Sequence, residues 1–437
     1  MVPGRFLLVE RLRSNLFFVP MTFVAGGVVL AATMIAVDDR VGPPPDRLPF
    51  FVSSTVDSAR AILTTVATAT ITVAGIAFSI TLLVIQMASS QYSPRVVHGI
   101  FRDSFNKRVI GVVMGTFTYC LVVLQAVRSA VTDNGDDVVP NLSVLVGLAL
   151  GVAAILAVVA FINHNAHAME VSEILQDVTE QTLEVVRSQW PLAEEAPPPL
   201  PAPHHGGGGH VISFVESGWV QQLDEEAMRS LAEPGGTVAF ESGIGRYAVG
   251  GLELCTVWPP PTDLDTAERR ARAAVHLGRA RTLGQDPAYG IRQLADVGIR
   301  ALSSGIDDPS TAQDAIFHIA AVLREMHRRV PPPAVTVDDQ ERVLVLTEAP
   351  THATMVSLAF EELRRSARRH PAVSVYLLEA MSLLYRSTDP PPPDDARDAL
   401  VAQAQLIVDE ARQADLVKAD LRLVESAHDE RFGAPHR

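Results

Sequence analysis

The sequence carries none of the short motifs that mark the common enzyme chemistries. It has no GxxxxGKS/T phosphate loop, no HExxH pair, no CxxC and no GxSxG nucleophile turn. The nearest approach to a dinucleotide fingerprint, Gly243-Ile244-Gly245, lacks its third glycine and the strand-to-helix setting. Cysteine is nearly absent as well. Cys120 stands in an apolar segment and Cys255 in the soluble part, which argues against a disulfide and for a reduced compartment. The apolar runs hold no carboxylate pair and no nucleophile within reach of a base, so no enzyme is expected. No cofactor is expected, and no metal, since His204, His205 and His210 sit in or beside a loose Pro/Gly stretch.

What is present is apolar length. Four runs, 16–37, 61–86, 109–127 and 142–162, each approach or exceed the roughly 20 residues that cross a bilayer. The first is too long for a cleaved signal peptide and has no small-residue cleavage site before a mature domain. Charge divides the chain in the same place. Residues 1–170 hold 11 Lys and Arg against 10 Asp and Glu, whereas the remainder holds 25 against 40. The second part is therefore an acidic soluble body, which argues against nucleic acid as a partner.

Arg5, Arg11 and Arg13 precede the first run, and Arg95, Arg102, Lys107 and Arg108 lie between the second and third. The two remaining loops carry Asp38, Asp39, Asp46 and Asp57, then Asp133, Asp136 and Asp137. The positive-inside rule then predicts a multi-pass protein of the bacterial cytoplasmic membrane with both termini in the cytoplasm. Between the second and third spans, Ser93-Pro94 ends one helix. Val96, Val97, Ile100, Phe101 and Phe105 then share a face, as on a helix lying on the membrane surface or packed on the cytosolic part.

The expected fold class is an α-helical membrane protein with four transmembrane helices plus a cytosolic α+β region. Residues 1–169 form the membrane domain, 170–190 a helical stalk and 191–209 a flexible Pro/Gly linker. Short β-like runs between Gly and Pro over 210–260 predict a small β-rich domain, and 261–437 reads as mainly helical. Within that last part, 267–283 and 289–302 read as helices. Asp308 followed by Pro309 reads as an N-cap and first helical residue, and 334–337 with 342–347 as a hairpin around a polar loop.

The most informative pattern is on the second span. Thr64, Thr68, Thr72, Gly75 and Ser79 recur at helical spacing, with Arg60 and Gln86 extending the face at either end. Two readings stand. Thr and Ser can bond back to their own helix and serve only packing, or the face can line a path for inorganic ions, which implies a ring of subunits and hence a homo-oligomer. Gly111-xxx-Gly115 and Gly147-xxx-Gly151 predict close helix packing of spans three and four, on each other or across a subunit interface. His164 and His167 share a face at the end of span four, most simply as polar boundary residues.

In the soluble part, Arg281, Asp286, Arg292, Asp307, Asp308 and Thr311 form the densest polar cluster. They read either as a ligand-binding loop at a helix start or as a capped, ion-paired turn.

Ile71-Thr-Val-Ala-Gly-Ile-Ala-Phe-Ser-Ile80, then Gln86 and Ala88-Ser-Ser-Gln-Tyr-Ser-Pro-Arg95, resemble the signature of a bacterial predicted membrane protein family, domain of unknown function 2254. Gln285-Asp-Pro-Ala-Tyr-Gly-Ile-Arg-Gln293 and the stretch from Ala301-Leu302 through Gly305-Ile-Asp-Asp-Pro309 to Thr311-Ala312 resemble its cytosolic signature. Asp307 stands where that pattern has Asn, and Ser304 where Pro is usual; both keep the turn chemistry possible. The resemblance covers nearly the whole chain and implies the architecture, not a reaction. The expected function is therefore an ion channel or channel-like pore with a cytosolic regulatory domain. The alternative is a membrane-anchored sensor or scaffold whose cytosolic half binds a ligand or protein.

Overall fold

The computed structural model describes residues 18–41, 55–91, 104–127, 139–167, 170–196, 198, 200–201, 203 and 207–433. Outside them lie Arg5, Arg11, Arg13, Arg95 and Arg102, the amphipathic residues Val96, Val97, Ile100 and Phe101, and His204 and His205. The chain divides into two compact units, Met1–Glu170 and Val171–Arg437.

Among the described residues of the first unit, four helices are long and apolar enough to cross a membrane: α1 (Phe18–Val41), α2 (Val56–Gln91), α3 (Ser104–Ala126) and α4 (Asn141–His167). The 36 residues of α2 make a helix about 54 Å long, well beyond the ~30 Å hydrocarbon core of a bilayer.

Small residues decide which helices touch. A methyl group built on Gly115 of α3 would lie 2.8 Å from the Phe23 carbonyl oxygen, and one on Gly27 of α1 2.5 Å from that of Gly115. Gly111 likewise lies against the Phe23 ring. The glycine ridge of α3 therefore receives α1, and its partner is not the ridge of α4. On α4, Gly147 admits Leu63 of α2 and the Tyr119 edge of α3, while Gly151 admits Val66 of α2. Each ridge works as a packing surface: that of α3 receives α1, and that of α4 receives α2 along with the Tyr119 edge of α3, because GxxxG specifies closeness and not the partner.

Polar groups close both ends of the bundle. The Asp38 carboxylate accepts from the Leu142 and Ser143 backbone N–H groups, each at 2.9 Å, and from the Ser143 hydroxyl, so the end of α1 caps the start of α4. Tyr119 Oη donates to the Ser143 carbonyl at 2.8 Å. Asn106 and Asn165 exchange reciprocal amide bonds of 3.2 Å where α3 begins and α4 ends. An Asp38→Ala variant is expected to lose about 1–2 kcal/mol, as N-cap removal does. Thermal unfolding of the full chain in detergent checks it, and an unchanged midpoint would show the cap to be dispensable.

The second unit begins with α5 (Val171–Gln189). Its buried face, Ile174, Leu175, Val178, Thr179, Thr182 and Val186, packs on α8 (Pro287–Ala301) and α9 (Pro309–His327). The segment read as a stalk is thus an integral helix of this unit, because a face apolar at 3.6-residue spacing must be covered.

The β structure is not confined to 210–260. Strands β1 (His210–Ser213), β5 (Glu253–Trp258), β3 (Thr237–Phe240), β8 (Val343–Leu346) and β7 (Val335–Val337) form one sheet in that order. A second sheet has the order β4 (Tyr247–Ala248), β2 (Gly218–Leu223), β6 (Val275–Gly278). All four residues of β3 are buried, so it must be a central strand, and the late β7–β8 hairpin supplies its parallel neighbour through β8. The helix expected over 267–283 is instead α7 (Leu264–Ala274) followed by β6, where Val275 alone of four residues is buried. One core, including Phe240, Leu254, Val257, Ala271 and Leu344, spans these elements with the short α6 (Glu225–Arg229). Helices α10 (His352–Ala367), α11 (Pro371–Tyr385), α12 (Asp394–Gln413) and α13 (Lys418–Phe432) complete the unit.

Candidate functional site

The hydroxyl face of α2 is exposed from Thr64 to Gln86. At about 100° per residue, Thr64, Thr68, Thr72, Gly75, Ser79 and Gln86 share one sector, and all six are exposed. The buried residues of the same helix, Val56, Ala59, Leu63, Ala67, Thr70 and Ala77, lie on the roughly opposite side. The protomer therefore packs α2 by one face and presents the hydroxyls outward. Among the described residues, a methyl group on Gly75 would touch nothing within 4 Å, so this glycine makes no close helix contact with them. A shallow groove of about 530 Å³ runs beside the face, lined by Thr64, Thr65, Thr68, Ala69, Thr72 and Val73. Leu82 falls in the same sector and Ile71 stands at its edge, both exposed, so the stripe is hydroxyl-rich, not wholly polar.

Two of the ladder hydroxyls turn their hydrogens inward. Thr72 Oγ1 donates to the Thr68 carbonyl at 2.8 Å and Ser79 Oγ to the Gly75 carbonyl at 2.9 Å. A hydroxyl has one donor and two acceptor lone pairs, so what these groups offer outward is acceptor oxygen. At the start of the helix, exposed Asp57 lies in the ladder's own sector. Arg60 is exposed but sits on the shoulder toward the packed face, where Nη2 donates to the Val127 carbonyl at the end of α3, 3.3 Å away. Periodicity alone places Asp57 here; it was obscured by its reading as a loop acid.

The cluster in the second unit separates into three. Asp286 caps α8 through the Tyr289 N–H at 3.1 Å, and its other oxygen receives Arg281 Nε at 3.0 Å and Nη2 at 2.7 Å. The Arg281 guanidinium lies 5.2 Å from the Tyr289 ring centre and 5.8 Å from that of Trp219. Gly245, at φ +76°, packs directly against this pair, which gives the Gly243-Ile244-Gly245 turn a structural reason. Arg292 pairs with Asp296 at 2.9 Å and with Glu362 on α10 at 2.6 Å.

Asp307 and Asp308 stand beyond the far end of α8, about 22 Å along its axis. Asp307 has φ +52° and approaches His370 at 3.6 Å. Asp and Asn tolerate that backbone region best among non-glycine residues, which accounts for an Asp at this turn. Asp308 caps α9, and the Thr311 hydroxyl at 2.6 Å holds its carboxyl below the usual range. These contacts latch helices and turns, and the six residues do not converge on one ligand position.

Sequence reading missed a third feature. Near the end of α9, His327 is only 5% exposed, and among the described residues neither ring nitrogen has a hydrogen-bond partner. His352 packs edge-on at 5.9 Å between ring centres and itself meets Trp190 at 5.2 Å. Burial holds His327 down to about 4, with His352 and Arg324 adding to the shift and Asp395 opposing it. No local pattern signals this junction, since its members come from four separated segments. Among the described residues, no three His, Cys, Asp or Glu side chains are placed to hold a metal ion. His164 lies against the Phe105 ring at 4.6 Å.

The sequence pattern of a family described as predicted membrane protein (DUF2254) matches residues 13–382. The chain belongs to this family. Uncharacterized proteins of Mycobacterium bovis (Mb1321c) and Mycobacterium tuberculosis (Rv1290c) are each 29% identical to it, over 97% of this chain and 81% of theirs. No solved structure matches it. Membership makes a lipid bilayer the environment of the four apolar helices. The exposed Leu148, Val152, Ile155, Leu156, Val159 and Ile162 of α4 give this family member the apolar surface such a setting requires.

Proposed function

We propose that the protein is a homo-oligomeric channel-like pore of the bacterial cytoplasmic membrane, with α2 of each protomer around the axis. Both termini and the acidic second unit lie on the cytoplasmic side, where that unit regulates conduction. The observation that carries the reading is the outward hydroxyl face of α2, set opposite the face that packs the protomer. Against lipid its outward oxygens find no donor, whereas copies arranged about an axis bring them to water. Thr64, Thr68, Thr72 and Ser79 line the path, Gln86 stands near its inner mouth, and Leu82 makes an apolar step that closes by dewetting. No catalytic step belongs to this reading.

One observation favours the alternative, a membrane-anchored sensor or scaffold. Thr72 and Ser79 already satisfy their donors on their own helix, so the face also tolerates a dry contact.

Cross-linking tests whether the ladder faces another copy, and conductance separates the two readings. Both native cysteines are buried, so a single Thr68→Cys on the full chain reports only on the ladder. It is expected to form dimers under mild oxidation in native membranes, while Ile155→Cys on the exposed face of α4 is not. In planar bilayers the Thr68→Ile/Thr72→Ile variant is expected to lower conductance several-fold. Failure to cross-link, together with an unaltered current, would remove α2 from the axis.

A further inference from the structure

We infer that the path selects cations and that Asp57 sets the preference. The inference rests on the proposed pore and names the ions it passes.

Sequence alone leaves the sign open, because Arg60 and Asp57 are three residues apart at the same end of one helix. The fold separates them. Asp57 lies in the sector of Thr64, Thr68, Thr72 and Gly75 and is exposed. Arg60 is rotated toward the packed face and is tied to the carbonyl of Val127 by Nη2 at 3.3 Å. The arrangement that orients the hydroxyls outward therefore orients the carboxylate with them and draws the guanidinium aside. Between Asp57 and Gln86 the sector holds no other charged residue.

The inner half of the ladder, Thr72 and Ser79, has the same sign. Thr72 and Ser79 spend their hydrogens on the Thr68 and Gly75 carbonyls, so lone pairs face outward. Oxygen acceptors replace the hydration shell of a cation and offer an anion nothing. Repeated about an axis, one carboxylate per protomer raises the local cation concentration at the outer mouth, and the acceptor stripe continues the path inward.

Asp57 also has a structural use, since an acid in the first turn favours the helix N-terminus. The test therefore reads selectivity, which a purely structural role leaves unmoved. Full-length protein is placed in planar bilayers under an asymmetric KCl gradient and the reversal potential is measured. The wild type is expected to reverse on the potassium side, with K⁺ preferred over Cl⁻ on the order of tenfold or more. Asp57→Asn is expected to bring the preference close to unity, and Asp57→Lys to invert it. Arg60→Gln is expected to leave it intact or increase it.

A conducting wild type that prefers chloride overturns the inference and leaves the pore standing. So does a preference that Asp57→Asn does not move. Loss of cation preference in Arg60→Gln alone assigns the filter to the wrong residue and overturns it as well. Silence of every variant across voltage, pH and membrane tension overturns the pore reading and this inference together.

Discussion

Gly27→Leu is expected to prevent assembly of the first unit, while Gly26→Leu on the same helix leaves it folded. The two substitutions add the same apolar bulk to adjacent positions of α1, so their effects on membrane insertion are alike. They differ in what the new carbon meets. At Gly27 it would lie 2.5 Å from the Gly115 carbonyl oxygen and 3.2 Å from the Gly115 carbonyl carbon, whereas at Gly26 none of the described residues stands within 4 Å. Backbone atoms cannot rotate out of the way as a side chain can. The helices must part, and Gly115 and Gly111 then lose their contact with Phe23. The expected cost is about 3 kcal/mol or more, at or above the usual range for overpacking. Size-exclusion profiles of the full chain in detergent, wild type beside both variants, read the outcome. Equal, sharp profiles for all three would mean that the α1–α3 approach is not what holds the unit.

The second large effect is a pH dependence built on His327. Burial depresses its folded value to about 4 from the ordinary 6.5, so the folded state resists a proton that the unfolded chain accepts. Stability from this group is therefore complete above pH 6.5 and is lost as pH falls from there toward 4. The loss is about 2 kcal/mol at pH 5 and about 3 kcal/mol below pH 4. His352 from α10, Arg324 from α9 and Asp395 from α12 face the ring, and the first two oppose its protonation.

A His327→Leu variant has no such proton to refuse. It also removes two buried nitrogens that find no partner among the described residues, so at pH 8 it is expected to match or exceed the wild type. The difference should widen in its favour as pH falls to 5. The three tryptophans, Trp190, Trp219 and Trp258, all lie in the second unit, so tryptophan emission of the full chain during thermal unfolding reports on that unit. Parallel pH profiles for the two proteins would mean that His327 is accessible to protons in the folded state.

Much of the architecture was legible because its signals are local. Apolar length marks α1 to α4, and a 3.6-residue period puts the α2 hydroxyls on one face. The Asp308-Pro309 pair starts α9, and two β-like runs around Asp338 to Glu341 become the β7–β8 hairpin. The polar cluster of the second unit was legible as residues but not as geometry. Arg281 and Asp286 stand at one end of α8 and Asp307 and Asp308 beyond the other, and closeness in sequence does not report which end a side chain serves.

What the amino-acid sequence determined by itself is therefore what a single segment encodes: spans, faces, caps and turns, each stabilised by contacts a few residues apart. The tertiary structure alone decided which face each helix hides. It gave the Gly111–Gly115 ridge to α1 instead of α4, and drew β8 back beside β3 across more than a hundred residues of sequence. It also turned the α2 hydroxyls outward with Asp57 among them and Arg60 held aside. Such choices are made by which surfaces fit when all the segments pack at once, and a periodic pattern fixes a face without naming the neighbour that covers it.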